Sequence, residues 1–272
     1  MTGRVVFIGA GPGAADLITV RGARLLAQAD VVLFDALTDP LLRQHAPDAT
    51  WIDVGKRGFR CESTGQPRID ALLVQMAHAH GLVVRLKGGD PSVFGRLEEE
   101  LQALGAAGID CEVVPGITAA IAAAADTHRP LTRRGRGRSV SLTTAMTRGG
   151  LLPSQSQSVA GSAAPHADTE VYYMAGRQLS RLGRALRTAG WPDDTPVCVV
   201  SRAGWPDMQF SDHRLDDLAA AAVLHGGRPT VVTLGAGAEP VGAATERPGP
   251  DCVAKRADMA IAVAAVTTLT SP

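Results

Sequence analysis

The stretch VVRLKGGDPSVFGR, residues 83–96, is the most informative part of this chain. Its first part contains the β-branched and apolar residues Val83, Val84 and Leu86, which predict a short buried strand. The sequence KGGDP, residues 87–91, ends that strand abruptly, and its two adjacent glycines allow the backbone to approach a ligand closely. Open α/β sheets bind small molecules at the carboxyl ends of their strands. The loop is therefore either a ligand-binding loop or an ordinary strand–helix turn.

Strand-like and helix-like segments alternate through the first half of the chain. Strands are predicted at residues 5–8, 31–34, 51–54, 83–86 and 111–114, and helices around 23–28, 69–79, 97–104 and 118–125. This alternation is typical of βαβ units and a largely parallel sheet. After the basic run RRGRGR at 133–138, further strands are predicted at 139–143, 170–174, 197–201, 208–211 and 230–234, with helices at 179–186 and 215–224. We therefore expect an α/β fold of two lobes, residues 1–132 and 133–237, followed by a tail at 238–272.

The composition excludes several classes of protein. The 272 residues carry 27 basic and 27 acidic side chains and only 4% aromatic residues, which does not favour binding to nucleic acid or to a membrane surface. The amino-terminal apolar run is of strand length and ends in a glycine turn, so we expect no signal peptide and a cytoplasmic protein. The cysteines and histidines are scattered without ligand spacing, so we expect no metal site.

The end of the first strand suggests a rival interpretation. The sequence GAGPGA at residues 9–14 can be matched to the dinucleotide-binding pattern, and Asp35 ends the next strand, where a ribose-binding acid would lie. Pro12 within the loop argues against this site, and residues 15–19 predict no clean helix. A pyrophosphate needs a helix amino terminus directly after the last glycine. A dinucleotide-dependent oxidoreductase remains an alternative.

Four motifs, in order, resemble those of the tetrapyrrole methylase family. They are IGAGPGAADLITVRGA at residues 8–23, VGKR at 54–57, VVRLKGGDPSVFGR at 83–96 and VVPGITAA at 113–120. Within the family, the chain most resembles the enzymes that methylate uroporphyrinogen III. The resemblance implies two α/β lobes with S-adenosylmethionine in the cleft between them. It also implies an enzyme that C-methylates uroporphyrinogen III to precorrin-2, through precorrin-1, in sirohaem or cobalamin synthesis.

The resemblance also assigns residues to the cofactor. They share small size or a place in a loop, which suits a folded adenosyl ligand held mainly by backbone groups, and Asp90 supplies an acid for its polar atoms. The residues implied to bind S-adenosylmethionine are Pro12, Gly88, Gly89, Asp90, Val93, Thr118, Ala119, Met174 and Ala203.

Catalytic and substrate residues follow from the same resemblance. Asp35 matches the family's proposed proton acceptor and Lys56 its proton donor, and C-methylation of a pyrrole carbon requires a proton to leave the macrocycle. The substrate bears many carboxylates, and arginine recognises a carboxylate through paired hydrogen bonds. We therefore expect Arg57, Arg96 and Arg133 to bind substrate. Without the family, Asp35 would be interpreted as a turn carboxylate, Lys56 as a solvated lysine and the basic run as a solvated hinge. The family habit implies a homodimer.

The chain departs from the family pattern where the substrate is expected. Leu97 and Glu98 replace two glycines that usually follow FGR. The sequence TRR at 132–134 lacks the usual histidine, and TAM at 144–146 replaces Thr-Gly-His. These changes leave open a methylase of a later precorrin and a paralogue that binds without turnover. Because the methylase pattern occupies residues 1–235, we expect no fused dehydrogenase or ferrochelatase domain.

Overall fold

Two five-stranded sheets organise the part of the chain that the structure describes. The computed structural model describes residues 3–55, 65–146 and 167–242. Both sheets belong to one compact unit, Met1–Glu239. A second unit, Pro240–Pro272, is described only at residues 240–242. The fold is therefore mixed α/β with two sheets, as the sequence predicts.

The first sheet is entirely parallel. Its strands are β1 (Arg4–Gly9), β2 (Val31–Phe34), β3 (Thr50–Asp53), β4 (Leu82–Lys87) and β5 (Cys111–Val114). They lie in the order β3-β2-β4-β1-β5, and each neighbouring pair is parallel. Because all the strands run the same way, the loops after β1, β2, β4 and β5 leave the sheet at one edge. The prediction of a parallel sheet in the first half is confirmed.

Three helices pack against the first sheet in the described part of the chain: α1 (Val20–Leu26), α2 (Gln66–Ala79) and α3 (Leu97–Ala106). A further helix, α4 (Ala119–Asp126), follows β5 and packs against strands of the second half of the chain. Successive strand residues point to opposite faces. Val83 of β4 therefore packs with Leu73 of α2 and Leu104 of α3, whereas Val84 and Leu86 pack on the opposite face. Since both faces are buried, β4 is buried along its whole length.

The second sheet is mostly antiparallel, which the sequence pattern does not predict. Its strands are β6 (Val140–Thr144), β7 (Thr169–Tyr173), β8 (Pro196–Ser201), β9 (Gln209–Arg214) and β10 (Thr230–Gly235). They lie in the order β6-β7-β10-β8-β9, and only β6 and β7 are parallel. The loop between β8 and β9 is short, so the chain returns as a hairpin and not through a crossover helix.

The helices of the second half pack on one side of that sheet. Leu179, Leu182 and Leu186 of α5 (Leu179–Thr188) share one helical face and pack against Val197 and Val199 of β8. The helix predicted at residues 215–224 forms as a 3-10 segment, Leu215–Ala221, followed by the short helix α6 (Ala222–His225). Among the described residues, no helix combines the length and the apolar character needed to cross a bilayer.

His225 makes the stability of the second half depend on pH. Its ring is fully buried, and its two nitrogens lie 2.9 Å from the hydroxyls of Ser201 and Ser211. Burial, with smaller contributions from His213 and Arg228, lowers the pKa of His225 from 6.5 to about 4. Between those two values the unfolded chain binds more protons than the folded one. Stability conferred by the neutral ring is therefore complete above pH 6.5 and lost as the pH falls towards 4.

We expect the free energy of unfolding to fall by about 3 kcal/mol across that interval because of His225 alone. Urea unfolding of the wild type and of His225→Gln at several pH values measures the difference in slope. The exposed His45 supplies a matched control, His45→Gln, which should retain the wild-type slope. Equal slopes for the wild type and His225→Gln would show that the buried ring does not titrate as described.

Candidate functional site

Two glycine loops pair with each other at the carboxyl edge of the first sheet. The amide of Ala10 donates to the carbonyl of Lys87 at 2.8 Å. Gly11 and Gly89 exchange two hydrogen bonds, of 3.3 Å and 2.7 Å, as an isolated antiparallel bridge. The loop after β1 and the loop after β4 therefore form one surface, although their motifs lie far apart in the sequence.

A third loop, which follows β5, joins them through Asp90. One carboxylate oxygen of Asp90 accepts from the amide of Ser92 at 2.8 Å, and the other accepts from the amide of Gly116 at 2.8 Å. A Cβ at Gly116 would lie 2.3 Å from the carbonyl oxygen of Gly89, so a side chain there would separate the loops. The sequence predicts Asp90 as a ligand group; the structure shows it also holding the two loops together.

Backbone atoms line the space above Gly89. Gly89 has a φ of +74°, and a Cβ placed on it would lie at ordinary van der Waals distance, 4.0 Å, from Ile117 O and from Thr118 Cα. The segment containing Gly88 and Gly89 therefore faces the segment containing Thr118 and Ala119 with little side-chain bulk between them. A ligand that lies against this surface would meet main-chain groups.

Tyr173, which sequence reasoning missed, brings the second half of the chain to these loops. Its hydroxyl lies 2.8 Å from Thr118 Oγ1 and accepts from the amide of Ala120 at 3.3 Å. Its ring packs against Phe94, with ring centroids 5.0 Å apart. Burial raises the pKa of Tyr173, so the hydroxyl stays neutral and can donate to Thr118. Tyr173 therefore fixes the start of α4 against the end of β7.

Three more of the predicted cofactor residues lie next to Tyr173 in space or in sequence. Val93 and Ala119 pack with Tyr173 in one small apolar cluster. Met174 follows Tyr173 directly, has a φ of +58° and is 43% exposed. A left-handed backbone at a non-glycine residue is rare and is concentrated at functional sites. Met174 is thus an exposed apolar side chain directly after β7.

A second bridge connects the first glycine loop to residues after β8. Trp205 Nε1 donates to the carbonyl of Pro12 at 2.9 Å, and the amide of Ala14 donates to the carbonyl of Gly204 at 2.8 Å. Ala203 is buried beside Ala122 and Ala123. The structure therefore places Pro12 and Ala203 on either side of this bridge, and Trp205 is a second residue that sequence reasoning missed.

Asp35 lies beside the glycine loop and ends a buried network of charges. Leu37, two residues on, lies against Gly88, where a Cβ would come within 3.1 Å of the leucine Cβ. Asp35 Oδ1 accepts from Arg85 Nη2 at 2.6 Å, and Arg85 Nε donates to Glu100 Oε1 at 2.8 Å. Glu100 Oε2 is also paired with Lys87 Nζ. The Asp35 side chain is 31% exposed, so this carboxylate is hydrogen-bonded to a buried arginine and still reaches solvent.

Burial acts on both cations of the network. It disfavours charge on Arg85, but Asp35 and Glu100 outweigh it and hold the pKa of Arg85 above its ordinary value. Burial, helped by the repulsion of Arg85, lowers the pKa of Lys87 in spite of Glu100. Sequence reasoning placed Lys87 at the strand's end without a role and did not identify Arg85 or Glu100. Basic residues two apart within a buried strand were the available signal, because they must share a face and need an acidic partner.

The predicted substrate residues are more dispersed. Arg96 is half exposed and its Nε donates to Glu99 Oε1 at 3.0 Å. Arg133 begins a tight turn in which its backbone pairs with Gly137, and its guanidinium donates to the carbonyl of Glu239. Lys56 and Arg57 lie outside the described residues. Leu97, which departs from the expected family pattern, is half-buried and packs on the core beneath α3.

Metal binding has no support in the described part of the chain. Within residues 3–55, 65–146 and 167–242, no three His, Cys, Asp or Glu side chains are placed to hold a metal ion.

Comparisons with known proteins agree on one family. The model of the tetrapyrrole (corrin/porphyrin) methylases matches residues 4–219. The uroporphyrinogen-III C-methyltransferase of Pseudomonas aeruginosa is 42% identical over 203 residues, covering 75% of this chain and 80% of that protein. The sirohaem synthase of Psychrobacter sp. is 41% identical over 219 residues, which cover 80% of this chain but only 44% of the synthase.

A solved structure shares both fold and sequence. The uroporphyrin-III C-methyltransferase of Thermus thermophilus, crystallised with S-adenosylhomocysteine, superposes with a TM-score of 0.72 at 35% identity. The match covers 86% of this chain and 97% of the other. The similarity therefore spans both sheets and the loops between them.

Proposed function

Because this chain belongs to the tetrapyrrole methylase family, we propose that it transfers methyl groups from S-adenosylmethionine to carbon atoms of uroporphyrinogen III. The product is precorrin-2, formed through precorrin-1, and the reaction serves sirohaem or cobalamin synthesis. The observation that carries the proposal is the convergence of three hydrogen-bonded loops, those after β1, β4 and β5, with the carboxylate of Asp35 at the carboxyl edge of the first sheet. One feature suits a methyl donor and the other a departing proton.

The residues of these loops fit the methyl donor. S-adenosylmethionine supplies a methyl group on a positively charged sulfur, which an electron-rich pyrrole carbon attacks in line. Gly88 and Gly89 on one side, with Thr118 and Ala119 on the other, offer main-chain groups and little side-chain bulk. Asp90 keeps these segments at a fixed separation through its two backbone hydrogen bonds. Positioning of this kind lowers the barrier of a bimolecular transfer.

Further cofactor contacts come from the loops that the second half holds in place. Trp205 fixes Pro12 through a hydrogen bond. Tyr173 packs against Val93 and Ala119. Small residues of α4 pack against Ala203. Met174, directly after Tyr173, offers an exposed apolar side chain. The pairing of Tyr173 with Thr118 brings the end of β7 to the glycine loops, so both halves of the chain contribute to the proposed cofactor site.

Asp35 acts as the proton acceptor. Its carboxylate is hydrogen-bonded to Arg85 on one oxygen and reaches solvent, so it can take the proton that leaves the methylated macrocycle. The family resemblance assigns Lys56 as the proton donor. The substrate carboxylates are bound by Arg57, Arg96 and Arg133. Of the two that the structure describes, Arg96 is more exposed than Arg133. Its link to Glu99 is a surface pair that a substrate carboxylate can replace at little cost.

The assembly and location are part of the proposal. We infer a homodimer in the cytoplasm, from the habit of the family. The chain spans less than half of the sirohaem synthase that it matches. The proposal therefore covers methyl transfer alone.

Incubation of the purified chain with uroporphyrinogen III and S-adenosylmethionine tests the function. Mass spectrometry should show products heavier by one and then two methyl groups. Calorimetry should show binding of S-adenosylhomocysteine and no tight binding of NAD. Cofactor binding without any mass increase would reject this substrate and favour a later precorrin or a binding-only protein. Tight NAD binding alone would reject the methyltransferase.

A further inference from the structure

Two cations of β4 point into the first lobe beneath the site. Arg85 and Lys87 are two residues apart on one strand, so they lie on the same face as Val83. Both side chains are 3% exposed. Cations in such a place need acidic partners, because burial of an unpaired charge is strongly unfavourable.

Glu100 supplies the shared partner. Its side chain is fully buried in the first turn of α3, and its two oxygens accept from different cations, Arg85 and Lys87. The neighbouring acids of that turn have other partners, because Glu98 accepts from Gln102 at 3.3 Å and Glu99 pairs with Arg96 at the surface. Helix packing therefore selects one of three adjacent glutamates for the interior.

The guanidinium of Arg85 is held on all of its nitrogens. Nε donates to Glu100, Nη1 lies 3.2 Å from the carbonyl of Leu86, and Nη2 donates to Asp35. A guanidinium is planar and rigid, so fixing Nε determines where Nη2 points. The orientation of the hydrogen bond to Asp35 is consequently set from the buried side of the network.

We propose that Glu100 is a positioning residue for methyl transfer: its carboxylate aligns Arg85, and Arg85 in turn aligns the proton-accepting carboxylate of Asp35. The inference rests on the proposed function, and Glu100 touches neither substrate nor cofactor. A simpler role, neutralising Lys87 and Arg85, requires only the negative charge of Glu100. Positioning requires its length as well, because one carboxylate must reach both cations at once.

The substitution Glu100→Asp separates these roles, since it keeps the charge and shortens the side chain by one methylene. We expect kcat for methyl transfer to fall about 10-fold, with KM and the Kd for S-adenosylhomocysteine changed less than about two-fold. Glu98→Asp, at an exposed position of the same turn, is the matched control and should behave as the wild type. Glu100→Gln, which keeps length and loses charge, should also lower kcat. Thermal unfolding shows that each variant is folded at the assay temperature.

A double-mutant cycle with Asp35→Asn distinguishes a positioning role of Glu100 from a merely structural one. If Glu100 acts through Asp35, Glu100→Asp should change kcat less than about two-fold in the Asp35→Asn background. An equal loss in both backgrounds, or wild-type kcat in Glu100→Asp, would overturn the inference while the wild type still methylates. Absence of methyl transfer by the wild type would overturn the proposed function and this inference together.

Discussion

Asp35→Asn should lower kcat for methyl transfer by at least about 100-fold, the size of effect expected when a positioned general base is removed. The asparagine oxygen can still accept from Arg85 Nη2, so the local hydrogen bond survives while the proton acceptor is lost. The Kd for S-adenosylhomocysteine should change less than about two-fold, because Asp35 binds Arg85 and not the paired glycine loops. Single-turnover mass spectrometry measures the rate of methyl transfer, and calorimetry measures the Kd for S-adenosylhomocysteine.

Asp48→Asn is the matched control for this prediction, because Asp48 is an exposed acid of the loop before β3. It should leave both quantities unchanged. Loss of cofactor binding in Asp35→Asn would show that Asp35 belongs to the cofactor site, and unchanged turnover would show that another group accepts the proton.

Asp90→Ala should raise the Kd for S-adenosylhomocysteine by about 10- to 100-fold. Both oxygens of Asp90 accept backbone hydrogen bonds, from Ser92 and from Gly116, and alanine leaves both amides without that acceptor. Hydrogen bonds to a charged group contribute about 1.5–3 kcal/mol each, and part of this stabilisation holds the loops in the positions that the ligand needs. Isothermal calorimetry measures the change, and turnover at saturating cofactor should fall less.

Asp90→Asn tests the physical reason for that effect. Its amide nitrogen is a donor and would face one of the two donating amides, so this nearly isosteric variant should also bind the cofactor weakly. Asp110→Ala is the control, since Asp110 is an exposed acid just before β5, far along the strand from the loops. Wild-type affinity in Asp90→Asn would mean that the shape of the side chain, and not its two acceptors, maintains the site.

Much of the first lobe could be predicted because its signals are local. The apolar period of each strand and the glycines after it lie within a few residues of each other, and β5 begins and ends where the sequence predicts, Cys111–Val114. The motif around Gly88–Asp90 predicts a ligand loop from equally local signals, because two adjacent glycines after a buried strand let the backbone approach a ligand closely.

The second sheet and the inner side of the site could not be predicted in the same way. Strand direction depends on how a loop returns, and the alternation that predicts βαβ units is absent after β8. Tyr173 meets Thr118 across 55 residues of sequence, and Trp205 meets Pro12 across 193. No short-range pattern encodes contacts at such separations.

The α/β class and the parallel first sheet can be predicted from the sequence because periodicity and glycine spacing are properties of neighbouring residues, and the family follows from the resemblance of four short motifs. Which charges meet depends on how the helices pack on the sheet. Strand alternation requires a buried partner for Arg85 and Lys87, yet three adjacent glutamates of α3 are equal candidates in the sequence. The packing of α3 on the sheet buries Glu100 alone among them, and this choice connects the core of the first lobe to Asp35.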